Sequence, residues 1–301
     1  MNIMQISPHY KPMCTYLPMC LCGEKKIKRP FVFIFLISFF FATLCKAASV
    51  DTVLIYSNAM HKEFKCVVIK PDSYKKKKNQ FPVVYLLHGF AGDFSNWIKK
   101  VPKIKEDADQ LQLLIVCPDG GYSSWYFDSP VDSSMRYETY IGIEVPAYID
   151  SHYRTIKDRA SRAITGLSMG GHGAFLLAFR HSGFYGACGS MSGGMDLYAS
   201  RNKFEIIKRL GDTIQFADNW KKYSVLGIVD NIPKENLAII FDCGLSDGFY
   251  PGNKQLHEKM LTLKIPHDYI ERPGQHDWNY WANAVEYQLL FFSKYFQRSM
   301  K

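Results

Sequence analysis

A serine lies between two glycines where an apolar strand-like run gives way to an apolar helical pattern. The segment is Gly166-Leu167-Ser168-Met169-Gly170. Its G-x-S-x-G spacing is typical of a tight strand-to-helix elbow, which holds the serine hydroxyl above the edge of a sheet. Glycine is needed on both sides because a Cβ there would strike the neighbouring strand or helix. We therefore predict that Ser168 is a nucleophile.

His276 best fits the role of a base for this serine. A serine hydroxyl is a weak nucleophile until a base takes its proton, and in proteins with this elbow the chain order is serine, acid, histidine. His276 lies in the loop PGQHDWNYW, just before the last helical pattern, where a ring can reach over the sheet edge. The other downstream histidines lie on or beside helical or strand-like runs: His172, His181, His257 and His267.

Two aspartates are candidates for the acid that orients the base. The segment FDCGLSDGF contains Asp242 at the end of a strand-like run and Asp247 in the loop that follows. Either carboxylate can in principle orient an imidazole. We favour Asp247, because the loop after Gly244 can turn back toward His276, whereas Asp242 is expected to point along the strand or to cap the turn.

The oxyanion formed during attack on a carbonyl needs preorganised hydrogen-bond donors. One is predicted to be the main-chain N–H of Met169, directly after the nucleophile. The other is expected in the loop HGFAG, where Phe90 N–H is the candidate donor and Gly89 and Gly92 allow a tight bend. We interpret His88 as a buried, hydrogen-bonded turn residue rather than a catalytic one.

Strand-like and helical patterns alternate along the chain, and these elements must position the candidate residues. The predicted strands are 52–56, 64–69, 82–90, 113–121, 161–165, 186–191, 237–242 and 268–270, and the predicted helices are 101–111, 135–153, 169–180, 253–263 and 278–296. This order predicts an α/β fold with a mostly parallel central sheet and helices on both faces. Pro146 is expected to kink its helix. The least regular stretch, 201–231, is predicted to be an insertion or cap.

The N-terminal segment has the order of a secretory signal. The basic stretch KKIKR precedes the apolar run FVFIFLISFFFATL, which is followed by Cys45-Lys46-Ala47. The run is short for a membrane span of about 20 residues. We predict that residues 1–47 are cleaved after Ala47, which leaves one catalytic domain, 48–301, exported to the periplasm or the medium without stable membrane association. A lipid anchor at Cys45 is the alternative, although Leu44 stands where that signal needs a small residue.

Charge and cysteine content narrow the class of partner and cofactor. The full chain carries a formal charge of +9, but residues 1–47 hold 6 of the 37 basic and 1 of the 28 acidic residues, which leaves +4. The lysines at 75–78 are interpreted as a solvated loop, so no nucleic-acid partner is predicted. The cysteines after residue 47 are isolated in apolar runs: Cys66, Cys117, Cys188 and Cys243. They are predicted to be structural, and no metal or organic cofactor is expected.

Several separated motifs in a fixed order resemble one family. They are LLHGF, CPDGG with SSWYFD, GLSMGGHGA, CGLSDGF and GQHDWNYW. Together, from about residue 53 to 296, they resemble the esterase D and feruloyl esterase group of α/β-hydrolases, which is similar to carbohydrate esterase family 1. This group includes tributyrin, acetylxylan and feruloyl esterases, S-formylglutathione hydrolases and, more distantly, mycolyltransferases. The resemblance implies Ser168 as nucleophile, Asp247 as acid, His276 as base, and Phe90 with Met169 as the oxyanion hole.

The resemblance also implies a substrate class. A secreted serine carboxylesterase is expected, with small short-chain acyl or hydroxycinnamoyl esters as substrates, including esterified plant polysaccharide. Trp97, Trp125 and Tyr126 are then expected as walls for the substrate, the alternative being ordinary core packing. An acyltransferase or a thioesterase similar to S-formylglutathione hydrolase would share the catalytic residues, although the thiol substrate of the latter is cytosolic. The remaining alternative is a non-catalytic carbohydrate-binding protein that has kept the fold.

Overall fold

The described part of the chain contains one eight-stranded sheet. A computed structural model describes residues 48–232 and 237–299. The strands are β1 (Ser49–Ser57), β2 (Lys62–Lys70), β3 (Val83–Leu87), β4 (Leu114–Pro118), β5 (Arg162–Gly166), β6 (Ala187–Met191), β7 (Ala238–Gly244) and β8 (Asp268–Arg272). Their spatial order is β1-β2-β4-β3-β5-β6-β7-β8. The β1–β2 and β2–β4 pairs are antiparallel and the others are parallel, which confirms the predicted mostly parallel sheet.

Helices cover both faces of this sheet. They are α1 (Asn96–Lys100), α2 (Ile104–Leu111), α3 (Tyr137–Thr139), α4 (Val145–His152), α5 (Met169–Arg180), α6 (Ile206–Leu210), α7 (Ala217–Tyr223), α8 (Val225–Ile228), α9 (Tyr250–Thr262) and α10 (Trp278–Ser299). One apolar core contains side chains of α4, α5 and α9, and a second core on the opposite face contains those of α2 and α10. Every residue of β3, β4, β5 and β6 is buried, as expected for parallel strands covered on both sides.

The helix predicted at 135–153 contains a π-helical turn. The structure has α3, then a π-helical turn at Tyr140–Glu144, and then α4 from Val145. Pro146 has no N–H to donate, so it fits the first turn of a helix, where that donor would be unpaired in any case. Pro146 therefore lies in the first turn of α4, directly after the π-helical turn, and the backbone stays helical through the junction, since Tyr140, Glu144 and Val145 all have right-handed helical φ and ψ angles.

The segment predicted as a cap is built from short helices. Residues 201–231 contain α6, α7 and α8, the longest of which has 7 residues. Phe204 and Glu205, just before α6, both have positive φ angles, 55° and 56°. This left-handed backbone is costly for residues with a side chain.

The predicted signal peptide lies outside the described residues, so its cleavage after Ala47 remains a prediction. In the described ranges, no helix is both long and apolar enough to cross a membrane. The four cysteines there are buried and unpaired: Cys66, Cys117, Cys188 and Cys243.

Candidate active site

Ser168 occupies a strained elbow between β5 and α5. Its φ is 54° and its ψ is −116°, outside the regions that L-residues favour. A Cβ on Gly166 would lie 2.7 Å from the carbonyl oxygen of Gly170, and a Cβ on Gly170 would lie 2.5 Å from the carbonyl oxygen of His88. The Ser168 N–H donates to the carbonyl of Met191 on β6 at 2.9 Å. The two glycines thus permit the close approach, and the sheet holds the elbow in place.

Ser168, His276 and Asp247 are joined by two hydrogen bonds. His276 Nε2 lies 2.9 Å from Ser168 Oγ, and His276 Nδ1 lies 2.8 Å from Asp247 Oδ2. An ionised Asp247 can only accept, so Nδ1 carries the proton and Nε2 is left to accept from the serine hydroxyl. The three residues follow β5, β7 and β8, whose carboxyl ends meet at one edge of the sheet. This arrangement allows the serine to lose its proton to the imidazole.

Asp247 is held as a buried anion. Burial would raise the pKa of its carboxyl, but the hydrogen bond from His276 and the positive charge that this imidazole carries when protonated outweigh that effect, and the Phe249 N–H donates to Oδ1 at 2.8 Å. The pKa of Asp247 therefore lies below its ordinary value. The carboxylate is shielded from water, whereas 31% of the His276 side chain is exposed to the cleft.

Asp242, the alternative acid, has different partners. It is fully buried at the end of β7 and accepts a hydrogen bond from Gln288 Nε2 on α10 at 2.7 Å. Its ionic neighbour is the Arg272 guanidinium, 3.8 Å away. Burial raises the pKa of Asp242 to about 6. The structure thus places Asp247, and not Asp242, against His276.

The two main-chain N–H groups predicted as oxyanion donors have no acceptor among the described residues. In the described part of the protein, neither Phe90 N–H nor Met169 N–H donates a hydrogen bond to another group. Met169 is the first residue of α5, where helix donors are unpaired and carry partial positive charge. The loop that carries Phe90 is bent by the bond from Gly92 N–H to the carbonyl of Gly89, at 3.1 Å.

His88 holds the Phe90 loop against the loop after β4. Its Nδ1 donates to the carbonyl of Gly89 at 2.8 Å, and its Nε2 accepts from Gly120 N–H at 2.7 Å. One ring nitrogen donates and the other accepts, so His88 is a neutral imidazole. The side chain is buried, as its interpretation as a turn residue expects.

An aromatic cleft of about 270 Å³ opens beside Ser168. Four of its lining side chains are aromatic: Phe90, Phe204, Trp278 and Trp281. The other lining residues are Gly89, Ala91, Gly92, Asn96, Leu167, Ser168 and His276. Besides Ser168 and His276, the polar side chain in this lining is that of Asn96.

The three predicted substrate walls lie behind the cleft instead of on its surface, which corrects that expectation. Trp97 is buried and donates from Nε1 to the carbonyl of Leu87 at 3.1 Å. Trp125 is buried and donates from Nε1 to the carbonyl of Phe204 at 3.1 Å. Tyr126 is buried, and its hydroxyl donates to the carbonyl of His88 at 2.8 Å. Each ring packs in the core and uses its polar atom to support a segment of the cleft.

Three aromatic lining residues were missed from the sequence. Trp278 and Trp281 follow His276 closely in HDWNYW, so their nearness to the base could have indicated them. Phe204 carries no such signal, because it lies in the irregular segment 201–231 and reaches the site only through folding. Its ring contacts those of Phe90 and Phe249, with centroids 5.4 Å and 5.9 Å away.

The site contains no evident metal-binding cluster. Within 48–232 and 237–299, no three His, Cys, Asp or Glu side chains come together as ligands. The groups positioned around Ser168 are an imidazole, a carboxylate and main-chain donors.

Comparison with known proteins identifies relatives over most of the chain. The family model described as "Putative esterase" matches residues 57–292. An esterase of Mycobacterium tuberculosis is 26% identical over 235 residues, which cover 69% of this chain and 51% of that protein. The acetyl esterase of Caldicellulosiruptor saccharolyticus is 25% identical over 257 residues, which cover 77% of this chain and 95% of that protein. The chain spans about half the length of the M. tuberculosis relatives it matches.

A solved structure shows the same architecture. A ferulic acid esterase superposes with a TM-score of 0.71 at 30% sequence identity, over 83% of this chain and 99% of the other. This similarity and the strand order confirm the α/β-hydrolase fold that the motif resemblance implied.

Proposed function

This chain belongs to the esterase family, and we propose that it is a serine carboxylesterase that cleaves short-chain acyl or hydroxycinnamoyl esters through an acyl-enzyme. One observation carries the proposal. The Ser168 hydroxyl is hydrogen-bonded to His276, which is hydrogen-bonded to a buried Asp247, and the serine opens directly into the aromatic cleft.

In the first step, Ser168 Oγ attacks the ester carbonyl carbon while His276 Nε2 takes the hydroxyl proton. The imidazolium that forms is stabilised by Asp247, whose lowered pKa keeps it ionised. When the tetrahedral intermediate collapses, the bond to the alcohol oxygen breaks and His276 returns the proton to that oxygen. The acyl group remains on Ser168.

The free N–H groups of Phe90 and Met169 supply the electrostatic part of catalysis. Neither N–H has an acceptor in the part of the protein that the structure describes. Both are therefore available to donate to the carbonyl oxygen as its negative charge develops. Losing one such donor typically costs a factor of about 10² to 10³ in rate. In the second step, water attacks the acyl-enzyme with His276 as base, and the same two donors serve again.

The size and lining of the cleft support a small or planar acyl group. Its volume of about 270 Å³ lies slightly below the range of typical ligand sites, which run from about 300 to 1,000 Å³. Flat apolar walls suit an acetyl or an aromatic acyl group better than a long flexible chain. Relatives named acetyl esterase and ferulic acid esterase are consistent with these two classes.

Export and action on plant polysaccharide belong to the same proposal. Export rests on the order of basic, apolar and small residues in 1–47. Cleavage after Ala47 would leave β1 intact, since β1 begins at Ser49. Sequencing the N-terminus of the secreted protein tests this directly: Ala48 as the first residue supports it, and an intact or lipid-bearing segment contradicts it.

Two alternatives differ from an esterase in what happens to the bound ester. An acyltransferase or thioesterase would use the same Ser168, His276 and Asp247, and would differ in whether water, an alcohol or a thiol is the second substrate. A non-catalytic binding protein would not need the serine, its base and the free donors in contact. The arrangement of these groups therefore favours catalysis.

Side-by-side hydrolysis of three esters tests the proposal. The purified protein is assayed with p-nitrophenyl acetate, methyl ferulate and acetylated xylan, and Ser168→Ala is the blank. We expect turnover that depends on Ser168, with one substrate clearly preferred. Turnover equal to the blank on all three would overturn the esterase proposal. A separate assay with an added alcohol acceptor identifies an acyltransferase if the transferred ester exceeds the free acid.

A further inference from the structure

Strand β8 forms an open edge of the sheet. It pairs with β7 on one side, and the bond from Leu245 N–H to the carbonyl of Arg272 shows which of its main-chain groups face β7. Because these groups alternate along a strand, Tyr269 and Glu271 direct their N–H and C=O groups away from the sheet. Within the described residues, no hydrogen bond reaches those groups from the outer side.

An apolar groove runs beside this edge. The groove has a volume of about 450 Å³ and lies between α10 and the last two strands, with Ile240 of β7 and Ile270 of β8 on one wall and Tyr287, Leu290 and Phe291 on the other. Three charged side chains also line it: Asp268, Lys294 and Arg298. Tyr287 is 51% exposed and Leu290 is 44% exposed. Bare main-chain groups and exposed apolar side chains therefore meet on one surface.

The sequence of β8 is complementary to itself in one antiparallel register. When two copies pair about Ile270, the outward Tyr269 and Glu271 of one copy face Glu271 and Tyr269 of the second, and the pairs exchange four main-chain hydrogen bonds. The same register places Ile270 opposite Ile270. It also places the acidic Asp268 opposite the basic Arg272, on the side of the sheet that faces α10.

We propose that this surface binds a second copy of the chain, so that the two β8 strands pair antiparallel about a two-fold axis. The sheet then becomes continuous through sixteen strands, and the exposed faces of Tyr287 and Leu290 are covered near the new junction. A two-fold contact of this kind uses the same patch on both copies. The proposal concerns assembly and does not depend on the reaction at Ser168.

The opposite edge of the sheet provides a matched comparison. Strand β1 also exposes apolar side chains, Leu54 and Tyr56, and it contains a single charged residue, Asp51. Two β1 strands therefore have no opposite charges to align in any register. Charged residues on an edge strand also serve to prevent pairing. If the charges of β8 prevent pairing, the protein has the mass of one chain in solution; if β8 pairs, it has twice that mass.

Light scattering during gel filtration measures that mass. The chain has a mass of 34.6 kDa, and we expect the purified protein at micromolar concentration to show twice the mass of one chain. Ile270→Arg puts two like charges at the two-fold axis and is expected to give the single-chain mass. Leu54→Arg, on the β1 edge, is expected to keep the doubled mass. A single-chain mass for the unaltered protein would overturn the proposal.

Disulfide trapping tests the register of the β8–β8 pairing. It does not depend on a substitution that breaks the pairing. Residues opposite each other at a non-hydrogen-bonded antiparallel position have Cα atoms about 4.5 Å apart, within the range a disulfide spans. Ile270→Cys is therefore expected to cross-link two copies under mild oxidation. In Asp268→Cys the two cysteines would lie about 14 Å apart along the strands, too far to join.

The unaltered protein is oxidised in parallel, which measures any cross-linking through the cysteines that the chain already has. Equal cross-linking of Ile270→Cys and Asp268→Cys would contradict the proposed pairing. Circular dichroism of each variant checks that the fold is intact, and ester hydrolysis is recorded separately. An inactive protein that still forms the Ile270→Cys cross-link would leave this inference standing and the esterase proposal overturned.

Discussion

Gly244 and Gly274 approach so closely that a Cβ on Gly244 would lie 2.5 Å from the carbonyl oxygen of Gly274. Gly244 ends β7, three residues before Asp247, and Gly274 lies two residues before His276. Main-chain bonds join the same two loops, since Ser246 N–H donates to the carbonyl of Gly274 at 3.0 Å. The contact between the acid and the base thus depends on two loops packed together without side chains between them.

Gly244→Ala is expected to separate these loops. The added methyl meets main-chain atoms that cannot rotate away, so the Asp247–His276 hydrogen bond should lengthen and kcat should fall by at least about tenfold. Overpacking should also cost about 1–3 kcal/mol of stability. Steady-state kinetics and urea unfolding measure the two effects.

Gly248→Ala is the control for that change, because a Cβ on Gly248 meets nothing within 4 Å. It is expected to keep kcat and stability close to those of the unaltered protein. Equal losses in both variants would show that the packing of Gly244 against Gly274 is unimportant.

Asp247→Asn and Asp242→Asn separate the two candidate acids. Asparagine at 247 cannot hold the His276 tautomer whose Nε2 accepts from Ser168, so kcat at neutral pH should fall by about 10³ to 10⁴. Asp242 has no contact with His276 and bonds to Gln288, so its variant should keep kcat within about tenfold. The reverse order of losses in an assay with p-nitrophenyl acetate would assign the acid to Asp242.

Asp242 should also make stability depend on pH. Burial raises its pKa from 3.8 to about 6, so the folded state binds this proton more tightly than the unfolded chain. Its contribution favours folding below about pH 4 and is lost as the pH rises to about 6, a change on the order of 3 kcal/mol.

Asp242→Asn cannot ionise, so its free energy of unfolding relative to the unaltered protein should increase between pH 4 and pH 7. Urea titrations of both proteins at several pH values measure this difference. A difference that stays constant with pH would contradict the raised pKa.

Phe204→Ala should widen the cleft. Its ring lines the space beside Ser168 and packs on Phe90, so its loss should raise kcat/KM for methyl ferulate relative to p-nitrophenyl acetate by about tenfold. Ile214→Ala, in the same segment, is the control because Ile214 is 91% exposed. An unchanged ratio in Phe204→Ala would show that Phe204 does not limit the acyl group.

His88→Ala should affect both stability and catalysis. It removes the acceptor of the buried Gly120 N–H and the donor to Gly89, at a cost of about 1–3 kcal/mol. The loop that carries the Phe90 N–H should then loosen, so kcat should fall more than KM rises. His152→Ala, at the exposed end of α4, should change neither. Loss of stability with unchanged kcat would limit His88 to a structural role.

The sequence predicted the features that depend on neighbouring residues. The elbow at Ser168, the first helical N–H at Met169 and the alternation of strands with helices follow from glycine positions and apolar spacing over short segments. For the same reason, His276 could be recognised in a loop before the last helix. The eight strands lie where the sequence predicted them, because each strand was predicted from its own apolar run, whereas their order in the sheet was not predicted.

The tertiary structure decided the features that join distant segments. The contact of Asp247 with His276 depends on how two loops pack, so spacing alone left Asp242 open. Trp97, Trp125 and Tyr126 lie behind the cleft while Phe204 enters it, because a side chain's exposure depends on what packs around it. By itself, the sequence determined which groups were available for chemistry and in which order. Only the fold determined which of them touch, since contacts between residues about 30 to 110 positions apart are set by packing and not by local conformation.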